Sequence, residues 1–294
     1  MNWKEYVLFV IETKCNSKCN FCDVGGFDGE LIDLSPISLP MLTKVLKVIP
    51  VGKYSGIIFS GGEVTLNKEL PEYASFARDR GFRHIMIQTN ARALSDLRLA
   101  KKLKASGINE FFVSFHSADK ELSEKISGRV GSYGQTVKAL ENLEKLGLMV
   151  ITNTVMTSMN YKDLPKTGKF LAKFSNIELM QFWGYMPMSS KASELILPYG
   201  LAAPYLNKTL KFILNLPRRV GVKWFPVCLL DEAHKKHLKR ELPICLGVKE
   251  NFHKRGEACD FHRCSCCEET DCWGIPEMYK RVMPPGSWMP SVKD

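Results

Sequence analysis

Tyr6-Val7-Leu8-Phe9-Val10-Ile11, with Cys15-Asn16-Ser17-Lys18-Cys19-Asn20-Phe21-Cys22 directly behind it, is the stretch on which the fold turns. The first part is a continuous apolar run, the pattern of a strand covered on both faces. Runs of the same style recur at 56–60, 84–88, 110–115, 150–155 and 177–182. Helical patterns lie between them at 40–48, 67–80, 94–105 and 134–146. In the last of these Val137, Leu140, Leu143 and Leu146 mark one face. One more helix is expected at 206–214. Six strand–helix repeats with right-handed crossovers predict an α/β protein, a partial (β/α)6 TIM-like barrel. In such a barrel the active residues sit on loops at the carboxyl ends of the strands.

Those ends carry chemistry. The first strand leads into Cys15, Cys19 and Cys22. The second leads into Gly61-Gly62-Glu63, the third into Thr89-Asn90, and the fourth into Ser114-Phe115-His116-Ser117. Three thiolates on one loop can ligate three irons of a [4Fe–4S] cluster and leave the fourth open, or supply three ligands of a zinc site. His116 is either a functional group of the barrel or a hydrogen-bonded core histidine.

With 294 residues, 45% hydrophobic and 24% charged, the composition is that of a globular protein. A disordered chain, a collagen-like repeat and a small disulfide scaffold are excluded. No run approaches the roughly 20 apolar residues of a membrane span, so no membrane partner is expected. No secretory signal pattern opens the chain, and a cytoplasmic location is expected. Ten cysteines are then better explained by metal than by disulfides.

After Pro198 the rhythm weakens. The expected division is a barrel domain at 1–215 and a small, irregular, cysteine-rich domain at 216–294. Cys264, Cys267 and Cys272 form a second compact ligand set, with Cys228 a fourth ligand brought back from the start of the tail. Four cysteines could close a structural zinc site or hold an auxiliary [4Fe–4S] cluster, the latter favoured here. Cys245, Cys259 and Cys266 are then spare. The net charge is +10, and residues 218–255 hold ten Lys or Arg against four Asp or Glu. Such a segment is either a solvated surface or an attractor of RNA or phosphates. His234 and His237, among lysines, read as part of a solvated basic helix.

The CxxxCxΦC loop at Cys15–Cys22, followed by Gly61-Gly62-Glu63, resembles the radical S-adenosylmethionine (radical SAM) superfamily over approximately residues 5–185. The resemblance implies that Cys15, Cys19 and Cys22 bind a [4Fe–4S] cluster whose open iron chelates SAM. It sets Phe21 against the adenine. Gly61, Gly62 and Glu63 line the methionine end, with Glu63 accepting from the ammonium. Thr89, Ser114 and Asn153 match positions that contact ribose or carboxylate. The GxIxGxxE pattern of the family is absent around the fifth strand, where Val150-Ile151-Thr152-Asn153 stands. The tail resembles the SPASM/twitch extensions that carry auxiliary clusters.

The implied activity is reductive cleavage of SAM, with an electron donor such as flavodoxin or ferredoxin, and hydrogen abstraction from a substrate. A peptide undergoing modification is the favoured substrate. Met1 lies about five residues before the first strand, so no N-terminal peptide-binding module is expected and a separate partner would present the peptide. RNA or a nucleotide-derived cofactor is the alternative substrate. A zinc-bearing binding protein on an inert barrel is the alternative of another class.

Overall fold

The structure is a computed structural model. It describes residues 3–22, 36–186 and 194–237, together with the backbone of three short segments at 244–246, 261–262 and 275–276.

Eight parallel strands form one sheet. In chain order they are β1 (Tyr6–Glu12), β2 (Gly56–Gly61), β3 (His84–Thr89), β4 (Glu110–Ser114), β5 (Met149–Met156), β6 (Ile177–Gly184), β7 (Arg219–Lys223) and β8 (Ile244–Leu246). The spatial order is β7-β6-β5-β4-β3-β2-β1-β8, so each strand from β1 to β7 lies beside its successor. Helices return the chain between strands: α1 (Leu39–Val48), α2 (Leu70–Asp79), α3 (Leu97–Ser106), α4 (Lys120–Ser127), α5 (Ser132–Lys145), α6 (Leu164–Leu171) and α7 (Tyr199–Leu214). A four-residue helix, α8 (Glu232–Lys235), follows β7. Phe261–His262 and Ile275–Pro276 pair antiparallel.

The six apolar runs are the six central strands. The sheet also continues past residue 216, because β7 pairs in parallel with β6, while β8 sets Cys245 opposite Leu8 on β1. The helix expected from Leu206 begins instead at Tyr199 and contains Pro204. Pro204 forfeits one helical hydrogen bond, and burial of Tyr199, Ala202 and Ala203 offsets that loss. Sequence reading passed over α4, whose first turn is capped by the Asp119 carboxylate accepting from Leu122 N.

Strand alternation sorts the side chains into two layers. Phe9, Phe59, Ile87, Phe111, Val113 and Phe182 pack outward under the helices, each fully or almost fully buried. Burying one such side chain stabilises by about 1.5–3 kcal/mol. The inner face holds Ile58, Met86, Phe112, Ile151 and Leu179, with Trp3 and Tyr6 beneath them. Two residues further along, the same inward face turns polar: Ser60, Gln88, Ser114, Asn153 and Gln181. The period-two pattern thus builds an apolar floor and, above it, a polar ring at the carboxyl ends.

Candidate functional site

The polar ring opens into a cavity that Cys15, Cys19, Phe21 and Cys22 share with Gly61, Gly62, Thr89, Ser114, His116 and Asn153. Of the barrel residues expected to hold the cluster and SAM, all but Glu63 line this cavity, with Phe112 and Trp183 at its base.

The cysteine loop has no regular structure of its own and is fastened on two sides. Lys18 N donates to the Ser127 carbonyl over 2.8 Å and Asn20 N to that of Ile126 over 3.1 Å, which ties the loop to the end of α4. On the other side Gly62 N donates to the Glu12 carbonyl over 2.8 Å and Glu63 N to that of Lys14 over 2.7 Å. The two glycines are required by this approach. A β-carbon at Gly61 would overlap the Glu12 carbonyl oxygen, and one at Gly62 those of Thr13 and Lys14.

None of the three cysteines forms a disulfide, and all three are half-buried. Burial pushes the Cys19 thiol up to about 12, and the neighbouring Cys22 and Cys15 add to the effect. Burial also raises Cys15. Three crowded, partly desolvated thiols are poor company for one another as thiolates, and a metal group that takes their protons relieves this. Three cysteines on one loop are a donor set that would hold three irons of a [4Fe–4S] cluster and leave the fourth open. Asn153 Oδ1 is buried at the cavity wall with no partner among the described residues.

Glu63 and Thr89 are bonded to each other within the chain. Glu63 is completely buried. Its Oε1 accepts from Thr65 N (3.2 Å), Thr65 Oγ1 (2.6 Å) and Thr89 Oγ1 (2.6 Å), and its Oε2 from Asn90 N (2.7 Å). A buried carboxylate must be saturated with donors, and here the chain supplies them. Burial still raises its pKa above the usual carboxylate range. Thr89 Oγ1 in turn accepts from Ala91 N.

Phe21 meets His116 edge to face, with ring centroids 4.8 Å apart. His116 Nδ1 accepts from Val155 N over 3.2 Å, and burial lowers its pKa to about 4. It is a neutral imidazole at the cavity wall. Ser114 and Asn153 are register partners on β4 and β5.

Asn90 stood out in the sequence only as a polar strand end and Arg92 not at all, although both line the cavity and contact the cysteine loop. Cys228 is exposed, in a short turn of helix after β7. Cys264, Cys267 and Cys272 lie outside the described residues, as do Cys259 and Cys266. His234 corrects the reading of a solvated basic helix. It is buried, with Nδ1 2.9 Å from Asn207 Oδ1. Much of the described part of the basic segment is also engaged within the chain. Arg218 donates to the Ser175 and Ile177 carbonyls, Arg219 pairs with Glu178, and Lys235 pairs with Glu232. Lys223 is buried 5.0 Å from both the Trp3 and Trp183 ring centroids.

Residues 10–171 match the family model for the Radical SAM superfamily. The chain belongs to the radical SAM superfamily. Among curated proteins it is 29% identical over 230 residues to the Fe-coproporphyrin III synthase of Methanosarcina barkeri, covering 77% of this chain and 55% of that protein. A "Probable GTP 3′,8-cyclase" of Sulfurisphaera tokodaii is 34% identical over 157 residues, covering 53% of this chain and 48% of that one. The chain thus spans about half the length of these relatives. Crystal structures of Streptococcus suis SuiB superpose at 14% identity: the S-adenosylmethionine complex has a TM-score of 0.60 and covers 75% of this chain and 51% of that one. The complex with the precursor peptide SuiA has a TM-score of 0.58 and covers 76% and 49%. At that identity the likeness is one of fold, the partial TIM barrel of radical SAM proteins. No described helix is long and apolar enough to cross a membrane.

Proposed function

We propose that the chain reductively cleaves S-adenosylmethionine and uses the resulting 5′-deoxyadenosyl radical to abstract hydrogen from a substrate seated above Phe112 and Trp183. One observation carries this: three half-buried thiols sit at the carboxyl ends of a parallel barrel, facing an inward polar ring over an aromatic floor. When bound at Cys15, Cys19 and Cys22, a [4Fe–4S] cluster supplies the electron for that cleavage, delivered by a flavodoxin- or ferredoxin-class donor. Phe21 and His116 flank the adenine. Backbone at Gly61 and Gly62 faces the methionine end, and Glu63 holds that loop against the end of β3. Asn153 Oδ1 accepts a hydrogen bond from SAM, with Ser114 beside it. In the tail, Cys228, Cys264, Cys267 and Cys272 hold an auxiliary [4Fe–4S] cluster.

The first substrate reading is a peptide undergoing modification, supported by the fold shared with peptide-bound SuiB. A cofactor precursor, tetrapyrrole or nucleotide, is the second reading. Its support is the name of the M. barkeri relative, whose likeness runs over 77% of the chain. The experiment is 5′-deoxyadenosine formation by reconstituted protein with SAM and dithionite, with and without precursor peptides, iron-bearing tetrapyrroles or GTP. Stimulation by one class above the substrate-free rate assigns it. Stimulation by an iron-bearing tetrapyrrole or GTP alone would remove the peptide reading.

A further inference from the structure

The end of β3 does something to the cysteine loop that binding SAM does not require. Ala91 is fully buried with φ +62°, a left-handed conformation that alanine adopts only at a cost. That turn aims the side chains on either side of it at the same target. Asn90 Nδ2 lies 3.8 Å from Cys15 Sγ, 2.7 Å from Asn16 Oδ1 and 3.3 Å from Ser17 Oγ. Arg92 Nη1 donates to the Asn16 carbonyl and, over 3.3 Å, to Ser17 Oγ. Its Nε donates to Gln135 Oε1 on α5 over 2.7 Å, which braces the guanidinium from behind. Asn90 Oδ1 accepts from Arg92 N over 3.0 Å, so the two residues are locked together. The Asn16 carbonyl and Gln135 together fix the guanidinium beside the cysteine loop.

We propose that Asn90 and Arg92 are positioning residues that raise the reduction potential of the cluster held by Cys15, Cys19 and Cys22. This rests on the cluster assignment of the preceding subsection. A low-potential one-electron donor adds one negative charge to the cluster. An N–H on the Cys15 sulfur and a fixed guanidinium beside the loop both favour the reduced form. Neither group takes part in bond cleavage.

The test is an electron paramagnetic resonance-monitored redox titration of anaerobically reconstituted wild type, Arg92→Gln, Arg92→Lys and Asn90→Ser. Iron content and SAM affinity are measured on the same samples. With iron retained, Arg92→Gln is expected to disfavour reduction about tenfold, a fall of about 59 mV for one electron. Arg92→Lys, which keeps the charge, restores most of it, and Asn90→Ser shifts the same way by less. Should Arg92→Gln fail to hold a cluster, a lowered potential in Asn90→Ser supports the proposal. Wild-type potentials in every variant that holds a cluster overturn it. So does an unchanged potential with weakened SAM binding, which makes Arg92 a SAM ligand instead. A wild-type protein that takes up no cluster removes this proposal together with the function on which it rests.

Discussion

The Thr89 hydroxyl donates to Glu63 Oε1 over 2.6 Å, and through that bond the end of β3 is tied to the loop that follows β2. Glu63 also takes up Asn90 N and Thr65 N and Oγ1, so one buried carboxylate organises the wall beside the cysteine loop. Glu63→Ala strands several buried donors and is expected to cost about 3–5 kcal/mol, whereas Glu63→Gln keeps one acceptor oxygen and costs about 1–3 kcal/mol. Urea unfolding of the metal-free proteins measures both. An alanine variant as stable as wild type would show that the carboxylate does not hold the wall.

His116 predicts a dependence on pH. Its folded pKa is lowered from 6.5 to about 4 by burial. Between those values the unfolded chain binds a proton that the folded chain refuses. The stabilisation is therefore complete above about pH 6.5 and is lost as pH falls toward 4, by at most about 3 kcal/mol. Comparing wild type with His116→Gln at pH 7.5 and pH 5 isolates this slope. Parallel losses in both proteins would assign the acid sensitivity elsewhere.

Ala91 carries a prediction of opposite sign. Glycine occupies φ +62° without penalty, so Ala91→Gly is expected to be neutral or to stabilise by up to about 1 kcal/mol, although most glycine substitutions destabilise. Ala91→Val adds bulk at a fully buried, strained position and should cost more than about 2 kcal/mol. Thermal melts decide, and a glycine variant that melts well below wild type contradicts the reading of that turn.

Gly62 gives a steric test. A methyl group there meets the Thr13 and Lys14 carbonyls, so Gly62→Ala must push the cysteine loop away from the end of β2. A stability loss of about 1–3 kcal/mol and reduced iron uptake on reconstitution are expected. Wild-type values for both would mean that the loop is not seated as described.

The central strands and the cysteine loop were legible because each has a local signal, an apolar run or a fixed spacing of thiols. β7 was not, since Arg219-Val220-Gly221-Val222-Lys223 has charged ends, and Lys223 is nevertheless buried with Trp3 and Trp183 on either side of it. His234 sits among lysines in the sequence, and the asparagine that receives it is 27 residues away. What Asn90 and Arg92 touch was hidden for a subtler reason. Their reach depends on a left-handed alanine, a conformation that residue type argues against. The motif marks where a group can bind, while the residues that hold the motif in place come from other strands.

The most direct test of the central claim is 5′-deoxyadenosine production by anaerobically reconstituted protein supplied with dithionite and SAM, quantified by liquid chromatography. A Cys15→Ala/Cys19→Ala/Cys22→Ala protein serves as the control. The account predicts product from wild type, iron in the same preparation, and no product from the triple variant. Zinc without iron in the wild type, and no 5′-deoxyadenosine, would contradict it.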